Sequence, residues 1–234
     1  MKLNILALIP ARGGSKGILR KNIKLMNGLP LIQYTINSAL NSKMISRVIV
    51  SSEDNEILKL SKNLGAEVPF VRPLELAKDE SPDFPLISHA INYLKDFENY
   101  EPDLLVYLRP TMPTRQSKEI DNVIDYLIKK KVDCVRTTRV SLYPPYWMKK
   151  INKDGFLEPY DEHVTSISKS RRQDLPATYM CDGYVDVAKV KTIIKENKFP
   201  TDKTLPYLID SIPYFDLDTP EDWFLCESYM RSLT

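Results

Sequence analysis

Leu3-Asn4-Ile5-Leu6-Ala7-Leu8-Ile9 is a nearly continuous apolar run that stops at Pro10 and opens into a glycine loop. A strand with one wet face alternates apolar and polar residues; a continuous run marks a strand covered on both faces, as in a parallel sheet flanked by helices. The next segments keep to that plan. Leu31, Ile32, Thr35, Ile36, Ala39 and Leu40 recur at helical intervals between Pro30 and Ser42, and the β-branched run Arg47–Ser52 follows. Ser52 or Asp54 is expected to cap a helix through Leu64 that Gly65 ends, before a short third strand over Glu67–Val71. Ser81-Pro82-Asp83 supplies a cap, a first-turn proline and an acid for a helix from about Phe84 to Asn99, and Asp103–Leu108 reads as a central strand. Ser117–Lys131 reads as a further helix with Lys129, Lys130 and Lys131 at its negative end, then Val132–Thr138 as a strand.

From Ser141 to Ala177 the helical period disappears. Tyr143-Pro144-Pro145-Tyr146-Trp147 and Asp154-Gly155 suggest a hairpin-rich arm inserted in one domain spanning residues 1–234. Tyr184–Ala188 and Leu208–Phe215 are expected as returning strands, and Pro220 to about Arg231 as the last helix. The repeated units predict an α/β, three-layer, mostly parallel architecture with ligands beyond the strand C-termini.

Charge narrows the function. The 33 Lys+Arg balance 31 Asp+Glu to a formal +2, and we find no local basic stripe, so no nucleic-acid partner is expected. Cys134, Cys181 and Cys226 are far apart and form no C-x-x-C pair, which argues against a zinc site or disulfide framework and for buried free thiols. The apolar run at Leu3–Pro10 is too short to span a bilayer and lacks a signal-cleavage pattern, so the expectation is a cytoplasmic protein without membrane insertion.

The strongest local motif is Pro10-Ala11-Arg12-Gly13-Gly14-Ser15-Lys16-Gly17, with Lys21-Asn22 after it. Glycines let backbone N–H groups approach phosphates while Arg and Lys neutralise them, so this loop reads as a triphosphate cradle. It matches neither the G-x-G-x-x-G dinucleotide pattern nor G-x-x-x-x-G-K-[ST]. Asp216 and Asp218 would face the same way on a strand and offer a hard, oxygen-seeking cation two carboxylates. Asp218-Thr219-Pro220-Glu221 reads equally as a helix N-terminus, and the two roles can coexist.

With its opening motif, Ser51-Ser52-Glu53-Asp54, Arg72-Pro73-Leu74-Glu75-Leu76-Ala77, Arg109-Pro110-Thr111-Met112-Pro113, Arg172-Gln173-Asp174-Leu175-Pro176 and Asp216-Leu217-Asp218 in order, the chain resembles the acylneuraminate cytidylyltransferases over most of its length. The resemblance implies a Rossmann-like nucleotidyltransferase sheet. It also implies a reaction in which the anomeric hydroxyl of a 2-keto-3-deoxy acid sugar attacks the α-phosphorus of CTP, releasing pyrophosphate. Ala11, Arg12, Gly13, Gly14, Ser15, Lys16, Asn22, Arg72, Ser81 and Asp83 would then hold the nucleotide; Arg12, Lys16, Lys21, Arg172 and Asp218 would serve catalysis; Asp216 and Asp218 would bind Mg²⁺. Asp83 suits either reading of the cytosine amino group or an ordinary helix start.

Arg109, Thr111, Asp182 and Gly183 are expected on the sugar side. Arg109 and Asp182 depart from the family's usual Gln and Asn. Arg109 suits either a bidentate grip on the sugar carboxylate or an internal pair with a nearby acid, and Asp182 suits sugar hydroxyls. Family likeness further implies a homodimer built through the arm over residues 141–177. The competing readings are activation of a 3-deoxy-octulosonate, a glycosyltransferase using Asp216-x-Asp218, and a catalytically silent binding protein.

Overall fold

The computed structural model describes residues 3–161, 171–210 and 212–233. Its centre is a six-stranded sheet of β1 (Ile5–Pro10), β4 (Arg47–Ser51), β5 (Leu104–Tyr107), β6 (Cys134–Val140), β9 (Tyr179–Lys189) and β10 (Thr204–Leu208), in the order β10-β6-β9-β5-β1-β4. β1 pairs parallel with β4 and β5, and β6 parallel with β10; β9 alone runs antiparallel, between β5 and β6. The sheet is thus mostly parallel.

The uninterrupted apolar run of β1 is divided between two layers. Ile5, Ala7 and Ile9 join Ile32, Ile36 and Ile124 on one face, from α1 (Leu31–Leu40) and α4 (Ser117–Lys130). Leu6 and Leu8 join Ile87, Ala90 and Leu94 of α3 (Asp83–Glu98) on the other. Period two along the strand and the i, i+3, i+4 spacing of the helices account for this three-layer core. α2 (Asn55–Asn63) is capped by Asp54, whose carboxylate accepts from the Glu56 and Ile57 N–H groups, and Gly65 follows it at φ 92°. α5 (Val190–Glu196) packs beside α3 through Ile193.

Four expectations need correction. Glu67–Val71 is not a strand: only Glu67 bridges Ile49, because Pro69 has no N–H with which to continue a ladder. The strand expected at Leu208–Phe215 lies earlier, as β10; it contains Pro206, which is tolerated because β10 is an edge strand. Ser81 does not cap α3; its hydroxyl donates to the Glu75 carbonyl and the helix begins at Asp83. Cys181 is exposed, whereas Cys134 and Cys226 are buried.

A small hairpin, β2 (Leu25–Met26) with β3 (Leu29–Pro30), turns through Asn27 and Gly28, both at positive φ. Its Asn-Gly turn is the sequence signal for such a hairpin. In the arm, β7 (Lys149–Ile151) pairs with β8 (Leu157–Pro159) around Gly155. Among the described residues no helix is long and apolar enough to cross a membrane.

α6 (Pro220–Arg231) carries a capping box: the Thr219 hydroxyl accepts from the Asp222 N–H, and the Asp222 carboxylate accepts from the Thr219 N–H. Trp223 and Cys226 of this helix pack with Ile18, Met26 and Leu31, seating the C-terminal segment against the loop after β1. The cap therefore belongs to Thr219 and not to Asp218. Thr219→Ala should lower stability by about 0.5–2 kcal/mol, and the exposed Asp218→Ala should stay within about 0.5 kcal/mol, both read from urea unfolding midpoints.

Candidate active site

β1, β4, β5 and β6 point their C-terminal ends in one direction, so the loops after them meet at one edge of the sheet. A cleft of about 440 Å³ opens there, walled by Arg12, Lys16, Lys21, Asn22, Arg109 and Asp218 among others. A larger hollow of about 810 Å³ lies at the opposite end, among Leu3, Leu104, Leu127 and Ile194. Both hollows carry charged side chains, but the smaller one lies beyond the C-terminal ends of the parallel strands, where ligands of such sheets bind, and is the one lined by the glycine loop.

The glycine loop is held in three places. The Ala11 N–H donates to the Ser51 carbonyl at 3.0 Å, the Gly13 N–H to Glu53 Oε1 at 2.7 Å, and buried Asn22 donates from Nδ2 to the Arg12 carbonyl at 2.8 Å. Glu53 spends its other oxygen on Arg72, at 2.7 Å, so one carboxylate fastens both the loop and a buried arginine. A Cβ on Gly13 would run into Asp54, and one on Gly17 into the Asp218 carbonyl; these two glycines are set by close approach. Gly14 and Ser15 lie between them, and Ser15 lines the cleft.

Arg12 and Lys16 both reach the carboxylate of Asp79, on the loop before α3. Lys21 donates from Nζ to the Leu217 carbonyl and pairs with Asp218 at 3.1 Å, which ties the loop to the C-terminal segment. Asp216 and Asp218 do not sit on a strand: the Asp218 N–H folds back onto the Asp216 carbonyl at 3.1 Å, and the Leu217 N–H donates to the Thr111 carbonyl at 3.3 Å. Burial, then the neighbouring Asp218, pushes the Asp216 carboxyl above the ordinary carboxylate range, partly offset by a hydrogen bond from Thr111. Among the described residues no group of three or more His, Cys, Asp or Glu is placed to hold a metal. Two adjacent carboxylates nonetheless suit Mg²⁺, which takes one or two from protein and the rest from phosphate and water.

Asp83 lies in the cleft with Ser81, and both its oxygens are engaged: Tyr107 donates its hydroxyl to one at 2.6 Å and Arg109 donates Nη2 to the other at 2.7 Å. Arg109 turns Nη1 to the fully buried Asp186 at 2.8 Å, and Arg136 grips that same carboxylate. Burial opposes the charge on Arg109, but Asp186 and Asp83 outweigh it and raise its pKa. Of its two expected uses, the internal pair is the one found.

Asp182 is not brought into the cleft. It is 2% exposed, and its oxygens accept from the Thr137 hydroxyl, the Tyr184 N–H at 3.0 Å and Arg139 Nε at 2.8 Å. A buried carboxylate needs such partners, so its role here is to join β6 to β9 rather than to meet a sugar hydroxyl. Gly183, at φ 67°, leaves room beside it for the Arg109 guanidinium. The side chain of Arg172 lies outside the described residues; its neighbour Arg171 pairs with Asp174 at 2.9 Å.

Sequence reasoning passed over Glu53, Asp79 and Arg115. Arg115 is buried with no carboxylate at ion-pair distance among the described residues, and it donates to the Arg109 carbonyl, the Tyr184 carbonyl and the Thr35 hydroxyl. Burial lowers its pKa to about 10, so it keeps its charge at neutral pH and pins the loop from Arg109 to Arg115. The signal was its place at the end of Arg109-Pro110-Thr111-Met112-Pro113-Thr114.

Known proteins resemble the chain in sequence and in fold. It is 32% identical to the CMP-N,N'-diacetyllegionaminic acid synthase of Legionella pneumophila, over 98% of this chain and 97% of that protein. It is 30% identical to the N-acylneuraminate cytidylyltransferase of Escherichia coli, over 96% of this chain and 52% of that longer protein. A solved structure of CMP:2-keto-3-deoxy-manno-octonic acid synthetase complexed with CTP superposes with TM-score 0.71 over 99% of this chain and 100% of that one; at 14% identity it supports the fold alone. The family model described as cytidylyltransferase matches residues 6–154, the stretch that carries β1, the glycine loop, Arg72 and the Arg109 loop, and the chain belongs to the cytidylyltransferase family.

Proposed function

We propose that this protein is a Mg²⁺-dependent cytidylyltransferase that joins a nonulosonic acid, a sialic or legionaminic acid or a close relative, to CMP with release of pyrophosphate, for surface-glycan assembly. The observation that carries this reading is the convergence of Arg12, Lys16, Lys21, Asn22, Asp83 and Asp218 on one cleft at the strand C-termini. In a cytidylyltransferase, that is a cradle for a polyanion with two carboxylates beside it. The relatives from Legionella and Escherichia, whose names specify acid sugars, favour the same substrate class.

In this reading the backbone of the Gly14–Gly17 segment, anchored by the Gly13 N–H on Glu53, and the Arg12, Lys16 and Lys21 cations take the phosphates of CTP and oppose the charge that grows on the leaving pyrophosphate. Asp83, oriented by Tyr107 and Arg109, still has lone pairs for the cytosine amino group. Asp216 and Asp218 would hold Mg²⁺, which when bound supplies Lewis-acid polarisation of the α-phosphate. Thr111, hydrogen-bonded to Asp216, lines the cleft with Arg109 and Asp218, on the side where the sugar would enter. The rest of the rate comes from holding the sugar hydroxyl in line with the α-phosphorus. Arg109 acts through Asp83 rather than on the sugar, and Asp182 through the strand that carries Gly183.

The reading includes a homodimer, supported by the apolar side chains that the arm exposes: Tyr143, Ile151, Phe156, Leu157 and Tyr160. Large apolar side chains exposed this closely along one stretch of chain are what an interface between copies would cover. It also places the enzyme in the cytoplasm, where CTP is made.

Pyrophosphate release should require CTP, Mg²⁺ and one member of a panel of N-acetylneuraminate, legionaminate, pseudaminate and 3-deoxy-octulosonate, with ATP, GTP and UTP inactive. Silence across that panel, or release with 3-deoxy-octulosonate alone, would overturn the substrate class. Asp218→Ala should cut turnover about a hundredfold or more while the fold survives; unchanged pyrophosphate release would remove Asp218 from the metal site. Light scattering in dilute solution should give twice the chain mass of 27.0 kDa, and a fully active monomer would end the dimer reading.

A further inference from the structure

Asp79 lies on the loop between the Leu74–Leu76 turn and α3, outside every motif that marks the family, yet its carboxylate is where the cationic arms of the glycine loop end. Arg12 meets one of its oxygens and Lys16 the other. Asp79 is one-third exposed, and Lys16 reaches it with a side chain that is otherwise 83% exposed. A lysine free to point anywhere in water instead turns back to this carboxylate. Lys16 and then Arg12 hold the Asp79 carboxyl below the ordinary carboxylate range, so it stays an anion throughout the neutral range. All three groups line the cleft.

These two cations are the ones that the proposed function assigns to the phosphates of CTP, and this inference rests on that reading. A guanidinium has five N–H donors and an ammonium three, so a polyphosphate can reach both side chains, but it must either draw them from Asp79 or sit beside that negative charge, and in both cases the carboxylate competes with it. We infer that Asp79 is an internal counter-anion of the cradle: it holds Arg12 and Lys16 in the empty enzyme, gives them up to the incoming triphosphate, and takes them back as pyrophosphate leaves. A single charge is a weak competitor for a ligand of several charges, so entry of the triphosphate is favoured. It is a stronger competitor once the polyphosphate has been cut from the nucleotide and is held by its phosphates alone. Asp79 thereby weakens binding at the cradle and speeds its clearance.

Binding of inorganic pyrophosphate to the full-length protein in EDTA, followed by calorimetry, tests this without any turnover. Asp79→Asn keeps the size of the side chain and removes its charge, and should bind pyrophosphate about five- to tenfold more tightly than the unmodified protein. Glu80→Gln removes the same charge one residue away and should change binding by less than about twofold. Under turnover, Asp79→Asn should lower the KM for CTP and the inhibition constant for pyrophosphate together, while kcat falls or holds. If the unmodified protein binds pyrophosphate and Asp79→Asn binds it equally or more weakly, the counter-anion role is wrong and the cradle stands. An equal gain from Glu80→Gln also overturns it, since net charge alone would then explain the effect. If neither protein binds pyrophosphate in EDTA or when the titration is repeated with Mg²⁺, the cradle itself is misassigned and both readings fall.

Discussion

β1 has no face turned to water, and the architecture depends on that burial. Leu6, Ala7, Leu8 and Ile9 are fully buried, and the strand is hydrogen-bonded on both sides, to β4 and to β5. An unpaired backbone group there would cost a desolvation penalty with no water to offset it, so a neighbour on each side is obligatory, and here both run parallel to β1. Parallel neighbours need helical crossovers, and crossovers put both layers of helices in place. The same geometry fixes where chemistry can occur: the chain leaves β1 at the edge where β4 and β5 also end, and the Ala11 N–H is already bonded to the last residue of β4.

The loop beyond β1 depends on the far end of the chain. Gly17 touches the Asp218 carbonyl, Lys21 holds the Leu217 carbonyl, and Ile18 packs beneath Trp223. The cradle and the carboxylates at its rim are therefore one structural unit assembled from residues about two hundred positions apart. Once α6 is capped by Thr219, Asp218 is released from helix duty and left at the rim with 71% of its side chain exposed. Positive cradle and negative rim meet because α6 packs on Met26 and Leu31, not because their sequences are complementary.

A second set of charges lies deeper, where β5, β6 and β9 meet. Asp186 is shared by Arg109 and Arg136, Asp182 is held by Arg139, and Arg115 is satisfied by carbonyls and a hydroxyl. Buried ions are tolerated only with such partners, and breaking one strands the other. Arg109 and Asp182 are both absorbed into this network as partners of internal charges. Arg109 transmits the arrangement outward by fixing Asp83 beside Tyr107, so the wall of the cleft is set by the buried ion pairs behind it.

The apolar run of β1, the helical spacing of α1, α3 and α4, and the glycine and lysine content of the first loop were legible from residue order, because period and side-chain volume act locally. The hairpin at Asn27-Gly28 carried a local signal too. What order alone did not disclose was partnership. Pro206 masked β10 because whether a strand tolerates proline depends on its being at an edge, and Asp216 with Asp218 suggested a strand where the backbone folds back on itself. The inward turn of Asp182, the pairing of Arg109 with Asp83 and Asp186, and the meeting of Arg12, Lys16 and Asp79 are all contacts across long separations. Sequence by itself determined the layered α/β scaffold and the chemistry of the first loop; only the tertiary structure decided which charges face the cleft and which face each other, since a charge buried in protein is governed by its nearest partners in space.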